Sequence, residues 1–505
     1  MQGTPELNGH LLDAAEFCRE LVPEGTIYAF LADHRSELFT DEDFADLFPT
    51  DRGRPSIPAV LVCAVMVLQA LEGLSDRDTI RQLRTRIDWK VACGLALDDK
   101  GFDFTVLTYW RTRLRGSERP QRVFDAIRTV VAETGVLAGK HRRALDSTIL
   151  DDAVATQDTV TQLISAIRKV RRVLPEAAAV ALTTASDEGG KPVIDWSDAT
   201  ARDALVSGLV HDAEAVLAAA ERAHSEEAQD AVGLLALVAG QDVEPGEEAG
   251  SWRIARKVAK DRVISTVDTE ARHGHKSTAV RTDGFKVHIA TEPETGIITA
   301  VAVTAANVPD GPTGVALMAS EADGMEVLAD SAYGGGATRA ALEEHHHHLV
   351  IKPLPSRPKI PGGVVRDDFT VDHDARLVTC PAGHVARLSA GGVAQFAPHC
   401  ADCPFRARCT QADARSFSVS EHDAELVAAR HAWLDDALRA AYRKYRPMAE
   451  RANAWLVANG NRRLRYRGVE RNLAWAYRRV GALNLRKLVL LGLTRTDGNW
   501  VLAAS

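Results

Sequence analysis

A mixed α/β fold surrounded by helical segments is what this sequence predicts, and three observations carry the prediction. From Gly284 to Lys352 the residues read in turn as hairpin, helix, strand, helix and strand. An earlier strand signal, Arg143 to Leu150, stands apart and is read as a member of the same sheet. The stretch from residue 1 to about 140 shows helical spacing of its apolar residues.

In chain order, Ile57 to Leu71 is a nearly continuous apolar helix, and Ser75-Asp76-Arg77-Asp78 forms a capping box that opens the next one. That second helix carries Arg81, Arg84, Arg86 and Lys90; a third, Phe104 to Leu114, sets Arg111 and Arg113, then Arg115, beside Tyr109 and Trp110. Short helices with basic faces suit a DNA groove. After the first strand, Thr159 to Thr184 and Ala201 to Ala223 have helical spacing, and the acidic segment with Pro245-Gly246 resembles a surface linker, so 152–260 is read as a helical insertion. Gly284–Glu292 and Gly296–Thr304 then form a hairpin across a Pro-Glu-Thr-Gly turn. A helix from about Gly314 to Ala322 leads into the strand that ends at Asp330; Ala337 to Glu344 is helical and His348 to Lys352 is the last strand. Asp330 thus falls at the carboxyl end of a strand, the edge where α/β sheets place ligands.

At 505 residues the chain is too long for one ordinary core; roughly three domains are expected at about 150 residues each. Hydrophobic residues at 46% with 26% charged fit a globular protein in water. No apolar run approaches the roughly 20 residues that span a bilayer, and Met1-Gln2-Gly3-Thr4-Pro5 lacks a basic-then-apolar signal pattern, so a cytoplasmic protein with no membrane partner is expected.

Asp146 in Leu145-Asp146-Ser147-Thr148, Asp330 in Asp330-Ser331-Ala332-Tyr333-Gly334 and Glu450 in Arg446-Pro447-Met448-Ala449-Glu450 are the candidate catalytic residues. Brought together by folding, they form a hard, all-oxygen site suited to Mg²⁺, with Mn²⁺ as a substitute, and paired divalent ions serve in-line attack at a phosphodiester. The net charge of -8 runs against a nucleic-acid partner until its distribution is considered. Arg439 to Lys487 holds fourteen Lys or Arg against Glu450 and Glu470, whereas His211 to Gly250 holds ten acids against Arg222. A chain polarised in this way has one surface fit for DNA. Lys286, Arg443, Lys444, Arg446, Arg462, Arg463, Arg465 and Arg467 flank the carboxylates in sequence and are the expected phosphate contacts.

Of the seven cysteines, Cys18, Cys63 and Cys93 sit singly in apolar helical surroundings and are expected to be buried small hydrophobes. Cys380, with Pro-Ala-Gly-His384 after it, and Cys400, Cys403 and Cys409 form two short clusters suited to a closed structural Zn²⁺ site, where His384 or His399 is an alternative ligand.

With these residues assembled, the chain resembles the DDE transposases of bacterial insertion sequences. The matching features are Leu-Asp146-Ser-Thr, Asp330-Ser-Ala-Tyr-Gly after a strand, Arg446-x-x-x-Glu450, Arg465-Tyr466-Arg467-Gly468, and the helical stretch from Arg54-Pro55 through Arg111-Thr-Arg-Leu114. Many relatives carry a tyrosine three positions before the arginine and a lysine seven after the glutamate; here those places are Arg443 and Val457, and Glu470 is the reserve for the third carboxylate. The resemblance implies a ribonuclease H-like catalytic core, like that of retroviral integrases, in which Asp146 bridges two Mg²⁺ ions, Asp330 holds one and Glu450 the other. It also implies a divided chain: a helical, DNA-binding domain at 1–140, the core at 141–151 and 261–355, the insertion at 152–260, a zinc-binding insertion at 356–420, and C-terminal core helices at 421–505. The implied activity is cleavage at transposon ends and strand transfer. Its partners would be double-stranded DNA, as terminal inverted repeats and target, and a second copy of the chain, in a bacterial, nucleoid-associated setting. Two other readings compete: a DNA-binding repressor or domesticated remnant without catalysis, and a metal-dependent nuclease that never joins ends.

Overall fold

The structure, a computed structural model, describes residues 1–4, 12–50, 52–185, 190–220, 224–257, 259–275 and 281–503. Its central sheet has six strands: β1 (Arg142–Asp151), β2 (Arg272–His275), β3 (Arg281–Thr291), β4 (Ile298–Ala305), β5 (Glu326–Ala329) and β6 (His348–Ile351). The order is β4-β3-β1-β5-β6, with β2 pairing the first residues of β3. The first three of these strands run antiparallel to their neighbours, and β5 and β6 continue parallel to β1. The fold is therefore mixed α/β, with the expected hairpin at β3–β4 and parallel crossovers through α3 (Asp310–Met318) and α4 (Gly336–Glu343), once α1 (Ala59–Glu72) and α2 (Thr105–Arg115) upstream are counted.

Alternation along β1 decides what each face of the sheet carries. Ala144, Asp146 and Leu150 point to one face, where Leu150, Phe285, Val287 and Ile289 join the main core. Leu145 points to the other, packing with Val327, Ala329, Ile351, Leu317, Tyr333 and Leu342 against α3 and α4. Closing the main-core face are α6 (Pro447–Val457) and α7 (Val469–Leu490), preceded by α5 (Asp436–Tyr445).

The N-terminal helices share that main core. Val62, Cys63, Ala64, Val65, Met66, Val67 and Leu68 of α1 are all buried, so the helix is apolar all round and must sit inside. Each large side chain among them contributes about 1.5–3 kcal/mol on burial. The helix stops at Gly73, which takes the left-handed conformation (φ 67°) that closes a helix. Its last carbonyls are satisfied by the C-terminal region: Arg479 of α7 donates to Ala70 and Leu71, Asn459 to Leu71, and Arg465 to Gly73. No single described helix is long and apolar enough to cross a membrane; α1 and the helix Asp76–Thr85 meet the length and apolarity criteria only jointly, bent by 109°.

Several boundaries differ from the sequence reading for local reasons. The helix from Thr159 ends at Val173 because Leu174 precedes Pro175, which starts a separate short turn, Pro175–Ala178. The next helix is Ala199–Ala219, capped by Asp198; residues 221–223 of the expected span lie outside the described residues. The acidic segment is no simple linker. Glu226–Gln241 is a helix that buries Ala228, Ala231, Leu234, Leu235 and Val238, and Val243–Pro245 pairs with Trp252–Ile254. Acid content masked an apolar stripe at helical spacing. The helix expected from Gly314 begins earlier, at Asp310, directly after Pro309. Strand β1 runs five residues past Asp146, leaving that aspartate in mid-strand.

Candidate active site

Asp146 and Asp330 become neighbours through the register of the parallel pair. The β1–β5 ladder ends with Ala144 opposite Leu328; two residues further on, Asp146 and Asp330 come level at the end of β5. Adjacent strands lie about 4.8 Å apart, so the two carboxylates emerge side by side. Asp330 leaves the strand as the cap of a short 3-10 turn, Ser331–Tyr333, its Oδ1 accepting from the Ala332 amide at 2.9 Å. Glu450 comes from the first turn of α6, which packs on β1 from the main-core face.

One guanidinium joins the three. Arg446, the residue before α6, sends Nη2 to Asp146 Oδ1 at 2.8 Å and to Asp330 Oδ2 at 3.9 Å, while its Nη1 lies 3.9 Å from Glu450 Oε1, one helical turn on. The side chains grade from inside to outside: Arg446 is 5% exposed, Asp146 14%, Asp330 45% and Glu450 69%. Burial works to lower the Arg446 pKa, but Asp146, Tyr442 and Asp330 more than offset it, and the group is held charged above its ordinary value. Nε and Nη1 of Arg446 are buried with no hydrogen-bond partner among the described residues.

A second polar group lies across the sheet. Lys286 on β3 pairs with Asp310 at the start of α3 (2.5 Å), Ser147 donates to the same carboxylate at 3.1 Å, and His288 Nε2 meets Thr304 Oγ1 at 2.9 Å. Burial drives the His288 imidazole down to about 4, so it is neutral at ordinary pH. The Tyr333 phenol is buried in the same layer; desolvation, then Asp310, Asp146 and Asp330, push its pKa well up. Asp310 and Tyr333 were not singled out from sequence. Tyr333 had a usable signal, three residues after Asp330, but Asp310 reads only as a helix-start acid.

The basic residues divide. Arg443, Lys444, Arg462, Arg463, Arg465 and Arg467 are exposed. The loop bearing Arg462 to Arg467 is tied to the end of β1, the Asp151 amide donating to Arg462 O and the Leu464 amide to Asp151 O, both at 2.9 Å. Arg446 and Lys286 are not surface groups: each is at most 13% exposed and pairs with an internal carboxylate. Glu470 lies in the first turn of α7, 3.6 Å from Arg115, with no ion pair to Asp146 or Asp330 among the described residues.

Cys380, Cys400, Cys403 and Cys409 line one small cavity together with His384 and His399, whose rings stack at 4.5 Å. They hang on short elements: the strands Thr370–Asp372, Leu377–Thr379 and Val385–Arg387, and a turn in which the Cys380 amide donates to His384 O. Burial, reinforced by the other three thiols, raises the Cys409 pKa against the opposing pull of Arg415. Among the described residues these side chains do not draw together as a group that would hold a metal ion.

Carboxylates from three segments thus stand near the end of the central parallel pair of a mixed α/β domain, and the comparisons identify the family. The family model "Transposase DDE domain" matches residues 251–485, and "Transposase domain (DUF772)" matches residues 16–113. The chain belongs to the DDE transposases of insertion sequences. Asp330 and Glu450 lie within the longer match; Asp146 lies between the two. Comparison with curated proteins and with solved structures gives no match.

Proposed function

We propose that this transposase cleaves DNA at the ends of its own element and joins them to target DNA, with Asp146, Asp330 and Glu450 as the catalytic carboxylates on a ribonuclease H-like core. The observation that carries this reading is the convergence of three carboxylates, from three separate segments, on the single guanidinium of Arg446. An all-oxygen donor set is the chemistry Mg²⁺ and Mn²⁺ select, and the arginine already stands among those oxygens as the protein's own cation. Among the described residues the three carboxylates do not stand as a ready ligand group; Asp146, Asp330 and Glu450 would hold a divalent ion once Glu450, the most exposed of them, turns towards the two aspartates. When bound, a pair of such ions activates the attacking oxygen and stabilises the leaving one at a phosphodiester.

The chain's own groups prepare that chemistry. Asp146 is fixed by the sheet and oriented by Arg446. With Oδ1 committed to the Ala332 amide, Asp330 presents Oδ2 towards the site. Glu450, on an exposed helix face, is free to change rotamer as DNA arrives. Arg443 and Lys444 on one side, and Arg462, Arg463, Arg465 and Arg467 on the other, supply phosphate contacts that position duplex DNA without reading its sequence. Joining two ends calls for a dimer or larger assembly formed on DNA, acting in the bacterial nucleoid. The helical segment before residue 140 and the insertion at 152–260 are read as its DNA-binding and accessory parts.

Incubating the full chain with Mg²⁺ and duplexes carrying candidate terminal repeats tests the proposal. Broken ends and joined products are both expected; broken ends alone would leave a nuclease, and binding without cleavage a repressor.

We also read the cysteine cavity as a structural Zn²⁺ site. Four thiols line one space without standing as a ready ligand group, in a segment whose buried core is as small as Val364, Phe369, Val378, Leu388, Ala394, Phe396, Cys400 and Phe417; a soft-ligand metal that drew them together would supply folding energy. Metal analysis of protein purified without chelators should find about one zinc per chain, and Cys400→Ser should lower both zinc content and melting temperature. Metal-free protein with an undiminished melting temperature would refute the zinc.

A further inference from the structure

Helices α2 and α7 face each other across a cavity of about 400 Å³ lined by Asp76, Thr108, Arg111, Thr112, Arg115, Tyr466, Arg471, Ala474 and Arg478. The lining follows from helical spacing. On α2, residues 108, 111, 112 and 115 share one stripe; on α7, residues 471, 474 and 478 share another. Ala474 between the two arginines leaves the gap that a longer side chain would fill.

The charges in this gap do not balance. Asp76, its one acid, is already saturated: its oxygens accept from Gln69, Thr108 and both terminal nitrogens of Arg111. It serves to hold Arg111, whose guanidinium lies over the Tyr466 ring at 5.7 Å. Arg115 reaches only the rim, 3.6 Å from the largely exposed Glu470. Arg471 and Arg478 have no carboxylate partner among the described residues. Guanidinium groups presented from two helices into one partly desolvated gap repel unless an anion lies between them, and the planar fork of arginine matches phosphate oxygens.

We propose that this cleft holds a backbone phosphate of duplex DNA, gripped jointly by the N-terminal helix α2 and the core helix α7. The inference rests on the transposase reading but concerns residues outside the carboxylate site. A phosphate held here bridges the two segments matched by separate family models, Arg111 on one side and Arg471 and Arg478 on the other. DNA contact by the helical region would then be coupled to the orientation of the core.

The test is duplex binding by the full chain across a range of salt, for the native protein, for Arg471→Gln, and for Arg471→Gln with Arg478→Gln. Arg471 is exposed, so the single variant keeps its fold, and melting curves check the double. The slope of log K against log salt should fall by roughly one in the double variant, with weakening of about tenfold across all duplex sequences. Inorganic phosphate, at constant ionic strength, should compete with duplex on the native chain and lose that effect in the double variant. Unchanged slopes in both folded variants would overturn the proposal. So would inorganic phosphate binding in the cleft without displacing duplex, which would mark a free-anion site. A native chain that binds no duplex at any salt would instead refute the transposase reading itself.

Discussion

Asp146→Asn should abolish cleavage while leaving duplex binding within a few-fold of native. Asparagine keeps the shape and an oxygen for the Arg446 hydrogen bond, so the strand and the helix it meets are retained. What it removes is one of three negative charges at the end of β5. Charge stabilisation at a transferring phosphoryl group is worth several kcal/mol, and each 1.36 kcal/mol is a factor of ten, so cleavage should fall by at least about 10³-fold. Binding should hold because the proposed phosphate contacts lie elsewhere, on the exposed Arg443 and Lys444 of α5 and the exposed arginines of the loop after α6. End-labelled repeat duplex, followed for both nicking and retention on the protein, measures the two together. Cleavage near the native rate would remove Asp146 from the site and leave the mid-strand aspartate a partner of Arg446 alone.

Much of this arrangement was legible in the sequence because it follows from short-range pattern. The β3–β4 hairpin is announced by its turn and alternation, and β5 by an apolar run that stops at Asp330. Given a parallel pair, two aspartates at strand positions have few places to meet. What pattern does not encode is the partner of a charged residue. Arg446 and Arg479 read as members of a basic run, yet one lies among three carboxylates and the other ties off the end of α1. Lys286, expected as a phosphate contact, is paired with Asp310, twenty-four residues further along the chain, because α3 returns across the sheet. Composition misled in the opposite direction at Glu226–Gln241, where the acids are the solvent face of a packed helix. Cys63 and Cys93 are buried as expected, because burial of a lone small thiol in an apolar helix needs no distant partner, whereas Cys18, expected to be buried with them, is only half-buried at the end of its short helix.

Removing Arg446 should destabilise the protein and make it more responsive to divalent ions. The guanidinium is the cation that three carboxylates share, and truncating one side of a buried pair costs about 3–5 kcal/mol. Here only Asp146 is well buried, and Asp330 and Glu450 are screened by solvent, so Arg446→Ala should cost less, about 2–3 kcal/mol, read as a fall of several degrees in melting temperature. Arg446→Lys keeps the charge without the fork and should recover part of that loss. The same bookkeeping sets the sign with Mg²⁺: a ligand that binds only the folded state raises its stability, and it binds better where no internal cation competes. Added Mg²⁺ should therefore raise the melting temperature of Arg446→Ala more than that of the native chain. It should raise that of a variant that also carries Asp146→Asn and Asp330→Asn very little. Equal responses in all three proteins would mean that the carboxylates around Arg446 are a structural ion-pair cluster and that the divalent-ion site lies elsewhere.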